Sequence, residues 1–310
     1  MGSIGKGLGL GLAAVGRPAY INGARDEDLG DDRSVDALRR RTADVLDAAY
    51  AGGIRYVDTA RSYGRAEEFL AGWLAERPGV TDLTVASKWG YTYVGEWRRV
   101  RDVHEVKDHS LAAFTRQVAE SRALLGDRLA VYQIHSLTPD SPALDSPELL
   151  AALGRLRGSG VSVGFSTSGP RQADVVRRAL DVTVDGAPLF SVVQSTWNLL
   201  EPSVGPALAE AADAGVDVVI KESLANGRLS PAEATGPVRA VAGEAGVPVD
   251  ELAIAVALAQ PWVSRVLTGA VTPAQIERNL RAAALSVDPA LTLAETPADY
   301  WATRSRRPWA

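Results

Sequence analysis

Eight short apolar runs, spaced along the whole chain, constrain the fold more than any other feature of the sequence. They are rich in β-branched residues, are bounded by Gly or Asp, and lie at 7–15, 54–58, 83–88, 129–135, 161–166, 190–195, 216–221 and 263–268. Runs that are apolar on both faces favour parallel strands covered by helices, and helical patterns with start and stop residues stand between them. Eight strands alternating with helices predict an α/β fold, a single (β/α)8 TIM-barrel domain over residues 1–310.

Three links between these elements are longer than the others. They follow strands one, three and seven, at residues 16–35, 89–110 and 222–249. Each link leaves the C-terminal end of its strand, which is the end where barrel enzymes carry their active sites. We therefore expect these loops to cover a pocket and to select its substrate.

Composition excludes several kinds of site and partner. The chain has no cysteine, only three histidines and a net charge of −5, so disulfides, thiolate chemistry and a metal centre are not expected. No basic stripe marks a nucleic-acid surface. The longest apolar run, "LAIAVALAQPWV", is interrupted by Gln260 and Pro261 and is too short to span a bilayer. We expect a cytoplasmic protein with no nucleic-acid or membrane partner.

Polar, titratable residues stand at corresponding ends of the predicted strands. Asp58, Lys88 and His135 each occupy the last position of a strand, and Tyr63 lies just beyond one. Taken singly, each has an ordinary structural role, such as a cap or a solvated surface group. Because side chains alternate along a strand, an inward Asp58 requires an inward Tyr56 and an inward Ile54. Together the four groups are expected to converge at one end of the barrel.

These four groups have a shared chemical use. A phenol is a weak acid at neutral pH, and a nearby ammonium lowers its pKa. Lys88 would supply that charge, Asp58 would hold the lysine cationic, and His135 would orient a carbonyl or relay a proton. This is the arrangement of a general acid that protonates a carbonyl oxygen while hydride reaches the carbon. The chain has no hydride of its own, so a nicotinamide is required.

The residues around this group resemble a known family. The stretch "GIRYVDTARSYGRAEEFLAGWL" is similar to the signature of the aldo-keto reductases, with Asp58, Tyr63, Gly64 and Glu67 in matching places. Other matching stretches are "TVASKW", "LAVYQIHSLTPD", "VGFSTSGP", "FSVVQSTWNLLEP" and "GAVTPAQIERNL". The resemblance implies an NAD(P)-dependent oxidoreductase that acts on a small carbonyl or alcohol, with Tyr63 as the general acid, Lys88 and Asp58 tuning it, and His135 orienting the substrate.

The same resemblance implies a set of cofactor-binding residues. They are Ser166, Thr167, Gln194, Lys221, Ser223, Leu224, Asn226, Gly227, Gly269, Gln275 and Asn279. Ser166 and Gln194 would bind the nicotinamide carboxamide, and Lys221 stands where the family commonly stacks a tyrosine. The family implies NADP(H) rather than NAD(H). However, Gly269, Ala270 and Gln275 replace the Lys, Ser and Arg that bind the 2′-phosphate in NADPH-specific members, with Arg278 and Arg265 as nearby cations.

The sequence also suggests residues for a substrate pocket and leaves two alternative functions open. Trp89 and Tyr91 on the loop after strand three, together with Trp197, are candidates for an aromatic wall that holds a ring-bearing or sugar-like substrate. Alternatively, the aromatic residues of that loop form a small core that pins it. Lys221 beside Glu222 would also suit a Schiff-base lyase or aldolase. A barrel that binds nucleotide without catalysis is the remaining alternative.

Overall fold

The computed structural model describes residues 7–21 and 28–309. Within this part of the chain, eight parallel strands form a closed barrel, in the order β1-β12-β11-β10-β7-β6-β3-β2. Their bounds are β1 Gly7–Gly11, β2 Tyr56–Asp58, β3 Thr84–Trp89, β6 Leu129–Leu137, β7 Ser162–Thr167, β10 Val192–Thr196, β11 Asp217–Lys221 and β12 Arg265–Thr268. The predicted (β/α)8 fold is confirmed. Residues 1–6 and 310 of the expected domain, and residues 22–27 of its first long loop, lie outside the described residues.

Helices cover the outside of the barrel. They are α1 Val35–Ala51, α2 Ala66–Ala75, α3 Leu111–Leu125, α4 Pro147–Gly158, α5 Gln172–Leu180, α6 Gly205–Asp213, α7 Gly236–Ala245, α8 Val249–Ala259, α9 Pro273–Ala282 and α10 Pro297–Ser305. Five begin where a hydroxyl accepts a hydrogen bond from a free backbone N–H of the first turn, at Ser34, Ser110, Ser146, Thr272 and Thr296. Among the described helices, none has both the length and the apolar character needed to cross a membrane.

The expected long loops carry structure of their own. The link after β3 forms an antiparallel hairpin from β4 Tyr91–Tyr93 and β5 Glu105–Lys107. The link after β11 begins with a short 3-10 helix, Ala225–Gly227, in which Asn226 has a positive φ of 55°. A further hairpin, β8 Thr183–Val184 with β9 Ala187–Pro188, follows α5. The first two loops extend from the C-terminal ends of their strands, so they lie at the same mouth of the barrel.

The barrel interior is filled by its own small apolar cluster. Its buried members are Tyr56, Ala86, Val131, Val192, Val219 and Leu267, one from each of six strands. The larger apolar cluster packs the outer strand faces against the helices and includes Ile54, which precedes β2. Gly164 is required here because a Cβ at this position would lie 2.6 Å from the carbonyl oxygen of Val192. The plug of side chains closes the barrel below its mouth and leaves the C-terminal strand ends as the place for a site.

Candidate active site

Strand alternation brings a ring of polar side chains to the barrel mouth. On five strands, a residue two positions beyond an interior apolar residue carries a polar group on the same face. The pairs are Tyr56 with Asp58, Ala86 with Lys88, Val131 with Gln133, Val192 with Gln194, and Val219 with Lys221. His135 continues the β6 series beyond Gln133. The apolar plug therefore forms the floor of a polar site.

Asp58 and Lys88 form a buried ion pair at the centre of this ring. The ammonium of Lys88 donates to Asp58 Oδ2, and it also donates to the backbone carbonyl of Thr59 at 3.1 Å. The Lys88 side chain has no exposed surface and that of Asp58 has 4%. Since two opposite charges buried together are stabilised only while both are present, this pair has to be kept intact in the folded chain.

The Tyr63 hydroxyl lies next to Lys88 of this pair and next to His135, the fourth predicted catalytic residue. It lies 3.5 Å from Lys88 Nζ and 3.5 Å from His135 Nε2. The Tyr63 and His135 rings meet edge to face, with centroids 5.5 Å apart. The four residues Asp58, Tyr63, Lys88 and His135, which we call the tetrad, come from three strands and one loop and surround one small space.

Burial decides the protonation of the tetrad. It raises the pKa of Tyr63 well above its ordinary value, with the negative charge of Asp58 acting in the same direction. It lowers the pKa of His135 well below its ordinary value, and the charges of Lys88 and Lys221 add to this shift. It also lowers the pKa of Lys88, against the opposing attraction of Asp58. At neutral pH the phenol holds its proton and the imidazole is neutral.

Gln194 forms a hydrogen bond with Asp58 inside the site. Its side-chain Nε2 donates to Asp58 Oδ1 at 2.8 Å, while Gln133 Nε2 approaches the same oxygen at 3.4 Å. Lys88 occupies the other oxygen of that carboxylate. Both oxygens of Asp58 therefore have donors, which fixes the orientation of the carboxylate beneath the tyrosine.

Lys221 lies on the other side of the mouth, in a cluster of charges. Its ammonium donates to Thr196 Oγ1 at 2.8 Å and is 3.8 Å from Glu222 Oε1. Glu222 also accepts from the guanidinium of Arg304 on α10, with Nε at 2.9 Å from Oε2. Burial lowers the pKa of Lys221 to about 8. Although burial acts to raise the pKa of Glu222, Arg304 and Lys221 outweigh it and lower that pKa to about 2.

Arg17 is a site residue that the sequence analysis did not identify. Its guanidinium is buried, donates to Glu105 Oε1 at 2.7 Å and to the Ser62 carbonyl at 3.0 Å, and lies 5.2 Å from the centroid of the Tyr63 ring. The first long loop reaches Tyr63 because Gly16 has no side chain; a Cβ there would lie 2.4 Å from the Tyr63 carbonyl oxygen. The only signal in the sequence was the position of Arg17 in a loop expected to cover the pocket.

A cavity of about 850 Å³ runs across the barrel mouth, which is within the range of roughly 300–1,000 Å³ common for cofactor and ligand sites. Asp58, Tyr63 and His135 line it. Of the expected cofactor-binding residues, those that line it are Gln194, Lys221, Ser223, Leu224, Asn226, Gly227, Gly269, Gln275 and Asn279. Residues that are 200 positions apart in the chain therefore share one continuous wall.

Several polar atoms in this wall have no hydrogen-bond partner within the part of the chain that the structure describes. They include Asn226 Oδ1, Ser230 Oγ and Asp250 Oδ1, all from residues that line the cavity. Buried polar groups in folded proteins are normally paired, and an unpaired group is costly. The unpaired carbonyl and carboxylate oxygens suit a ligand that brings hydroxyl donors to this wall.

Two of the expected cofactor-binding residues, Ser166 and Thr167, do not line the cavity. Ser166 Oγ accepts a hydrogen bond from the backbone N–H of Ser136 at 2.8 Å. The Thr167 hydroxyl is 2.7 Å from Ser195 Oγ, since alternation along β7 turns this side chain toward the helices. Ser168, just beyond the strand, is the residue of this stretch that lines the cavity.

Two of the three expected substrate-pocket residues also lie elsewhere. Trp89 is fully buried outside the barrel, with its ring centroid 5.1 Å from that of Phe114, because it follows the inward Lys88 on β3. Trp197 packs against Trp262 and lines a separate cavity of about 310 Å³. Tyr91 does line the main cavity, and its ring centroid is 5.1 Å from that of His135.

The aromatic residues of the loop after β3 divide between the two roles weighed for them. Trp97 packs against Phe69 and donates from Nε1 to the Arg33 carbonyl at 2.8 Å, so it pins the loop. Beside Tyr91, the cavity wall includes Tyr20 and Trp309. Trp309 stacks on His104 with centroids 4.6 Å apart, which brings the C-terminal segment against this loop.

Comparisons with known proteins show which family and which folds the chain is similar to. Residues 29–290 match the model of the aldo/keto reductase family. Aldo-keto reductase str7 from Strobilurus tenacellus is 28% identical over 191 residues, which are 60% of this chain and 51% of that protein. The match thus spans about half the length of that relative.

Two solved structures share the fold at 23% identity. Aldo-keto reductase AKR11C1 from Bacillus halodurans, in its holo form, superposes with a TM-score of 0.68 over 97% of this chain and 91% of that chain. The glycerol dehydrogenase AKR11B4 from Gluconobacter oxydans superposes with a TM-score of 0.65 over 96% of this chain and 90% of that chain. The resemblance found in the sequence is confirmed.

Proposed function

Because the chain belongs to the aldo-keto reductase family, we propose that it interconverts a carbonyl compound and an alcohol with a nicotinamide dinucleotide as the hydride carrier. One observation carries this proposal. The Tyr63 hydroxyl lies 3.5 Å from both Lys88 Nζ and His135 Nε2, at the wall of a cavity of about 850 Å³. A proton donor beside a neutral imidazole and a paired ammonium suits the reduction of a carbonyl group.

The residues present fit a nicotinamide dinucleotide. Lys221 offers a cation in the wall, and the 223–230 turn offers the unpaired atoms of Asn226 and Ser230. Gly269 and Asn279 line the part of the cavity over β12 and α9. When bound, the nicotinamide supplies hydride to the carbonyl carbon.

Residues of the chain itself carry out the proton transfer. Tyr63 gives its hydroxyl proton to the carbonyl oxygen as hydride reaches the carbon, and in the reverse direction it takes the proton from the alcohol. His135 is neutral and donates a hydrogen bond that orients the carbonyl oxygen. Lys88 stabilises the phenolate that forms, and Asp58, held by Gln194, keeps the lysine in place.

The cavity wall near Tyr63 indicates the substrate class. It combines aromatic surface from Tyr20, Tyr91 and Trp309 with the charged groups of Arg17 and Glu105. Aromatic rings cover the apolar face of a sugar or another ring, and the charged groups bind hydroxyls. We infer that the substrate is a sugar-like or ring-bearing carbonyl compound.

The proposal is tested by measuring nucleotide binding and nucleotide oxidation on the same protein. We expect a mixture of the full chain with NADH or NADPH to oxidise the nucleotide when aldehydes and ketones are added, with sugar-like and ring-bearing compounds turned over faster than short alkyl aldehydes. Absorbance at the nicotinamide band measures the rate. If tryptophan fluorescence reports nucleotide binding and no carbonyl compound supports oxidation, the non-catalytic alternative is correct. If a carbonyl compound is trapped on Lys221 by borohydride, the Schiff-base alternative is correct.

Lys221 gives nucleotide binding a dependence on pH. With a pKa of about 8, its ammonium loses its proton as the pH rises through that value, whereas Glu222, with a pKa of about 2, stays ionised. The cation attracts the anionic dinucleotide, so we expect the Kd to rise roughly three- to tenfold between about pH 7 and pH 9. Fluorescence titrations of the Lys221→Met variant should show a much flatter profile. The same rise in that variant would assign the titration to another group.

A further inference from the structure

We propose that the cavity end over β12 binds the adenosine ribose as a free diol through Asp250, so that this chain prefers NAD(H) to NADP(H). The inference rests on the proposed function, because it concerns the second half of the same dinucleotide. It departs from the cofactor preference that the family resemblance implies. We call this region the carboxylate end, and it consists of Asp28, Asp250, Gln275, Arg278 and Asn279, all of which line the cavity.

The topology separates the carboxylate end from the tetrad. The tetrad is built on β2, β3 and β6, whereas the carboxylate end is built around β12, which stands two, three and four places from these strands in the ring of eight. Gln275, Arg278 and Asn279 lie on α9, directly after β12, and Asp250 lies in the first turn of α8. A dinucleotide with its nicotinamide at the tetrad would have the carboxylate end, which lines the same cavity, available for its adenosine half.

Asp250 is the residue that points to a hydroxyl ligand. It is only 4% exposed, and its Oδ1 has no hydrogen-bond partner among the described residues. Its Oδ2 forms an ion pair with Arg278, at 3.5 Å from Nε. A buried carboxylate oxygen without a donor is costly, and a ribose hydroxyl supplies a donor. A phosphate dianion at neutral pH is an acceptor and does not.

Gln275 and Asp28 strengthen the acceptor character of this end. The Gln275 side chain donates from Nε2 to Asp28 Oδ2 at 2.6 Å and accepts from the backbone N–H of Val271 at 2.7 Å. The amide therefore holds Asp28 at the rim of the cavity. Asn279 is likewise engaged, since its Nδ2 donates to Thr268 Oγ1.

The charge balance of the carboxylate end opposes a 2′-phosphate. Among the described residues that line it, this end holds two carboxylates, of Asp28 and Asp250, and one guanidinium, of Arg278, which is ion-paired with Asp250. Gly269 and Ala270, next to it in the wall, carry no charge. Placing a further two negative charges beside two carboxylates is unfavourable, and such juxtaposition disfavours the wrong ligand strongly. We expect NADPH to bind roughly tenfold or more weakly than NADH.

Tryptophan fluorescence titration of the full chain with NADH and with NADPH tests the inference. In the wild-type chain the Kd for NADH should be lower by roughly tenfold or more. Asp250→Asn keeps a hydrogen-bond acceptor and removes a charge. The Kd for NADPH divided by the Kd for NADH should therefore fall to about threefold or less, mainly through tighter NADPH binding. Glu251→Gln is the matched control: this neighbouring carboxylate pairs with Arg281 and does not line the cavity, so the ratio should not change.

Competition with fragments of the two nucleotides shows which half of the dinucleotide gives the preference for NADH over NADPH. ADP-ribose and its 2′-phosphate lack the nicotinamide, so the same preference for ADP-ribose would place the effect at the adenosine half. NADPH binding as tightly as NADH, or a preference that Asp250→Asn leaves unchanged, would overturn the inference and leave the proposed reaction standing. An equal shift in Glu251→Gln would also overturn it, as a general charge effect. If neither nucleotide binds, the proposed function itself fails.

Discussion

Tyr63→Phe is expected to lower kcat for carbonyl reduction by about 10³-fold, while the Kd for the nucleotide stays within about twofold. The substitution removes only the hydroxyl that lies 3.5 Å from Lys88 Nζ and from His135 Nε2. The ring keeps its edge contact with His135 and its position below Arg17. Single-turnover measurements of nucleotide oxidation, with fluorescence titration of binding, separate the loss of proton transfer from a loss of affinity.

Tyr91→Phe is the matched control for this prediction. Tyr91 also lines the cavity and its ring also meets that of His135, but burial raises its pKa to about 12 and it has no contact with Lys88 among the hydrogen bonds of the described residues. We expect its removal to change kcat by less than about tenfold. Equal losses in the two variants would mean that any hydroxyl in this cavity serves, and Tyr63 would lose its assigned role.

The pH profile of reduction follows from the same environment. Because burial and Asp58 raise the pKa of Tyr63 well above 10, the protonated donor is the populated form throughout the neutral range. Ionisation of Tyr63 should therefore not reduce the rate of carbonyl reduction between about pH 6 and pH 9. The sequence analysis expected Lys88 to lower this pKa. The direction is opposite because burial raises this pKa and the negative charge of Asp58 adds to the rise, and burial depth is not visible in the sequence.

Strand ends were the part of the site that the sequence made predictable. The period of two along a parallel strand and the shared direction of all eight strands place Asp58, Lys88 and His135 at one mouth of the barrel, and they lie there. The same alternation, applied one residue further, would have turned Trp89 away from the cavity. The fold was predictable for the same reason, since the apolar runs mark each strand.

Contacts between loops were not predictable. Arg17 reaches the ring of Tyr63 because two glycine positions, Gly16 and Gly64, allow backbones 48 residues apart to touch; a Cβ on Gly64 would lie 2.5 Å from the Gly16 carbonyl oxygen. No local pattern encodes which long loops approach each other, so these residues required coordinates.

Lys88→Met is expected to lower the free energy of unfolding by about 3–5 kcal/mol and to abolish measurable turnover. The substitution leaves the Asp58 carboxylate buried with only the amides of Gln133 and Gln194 as donors, and an uncompensated buried charge is strongly destabilising. Urea unfolding followed by circular dichroism measures the loss. Arg177→Met is the control, because its pair with Glu210 is about half exposed on both sides and its loss should leave the free energy of unfolding close to that of the wild type.

The double variant Asp58→Asn/Lys88→Met separates stability from catalysis. Removing both charges leaves no buried ion without a partner, so most of the lost stability should return, to within about 1–2 kcal/mol of the wild type. Turnover should not return, because the phenol at residue 63 would have no ammonium to stabilise its ionised form in the transition state. A double variant that recovered activity along with stability would reduce the Asp58–Lys88 pair to a structural element. A double variant as unstable as Lys88→Met would show that the cost comes from packing at β3 and not from charge.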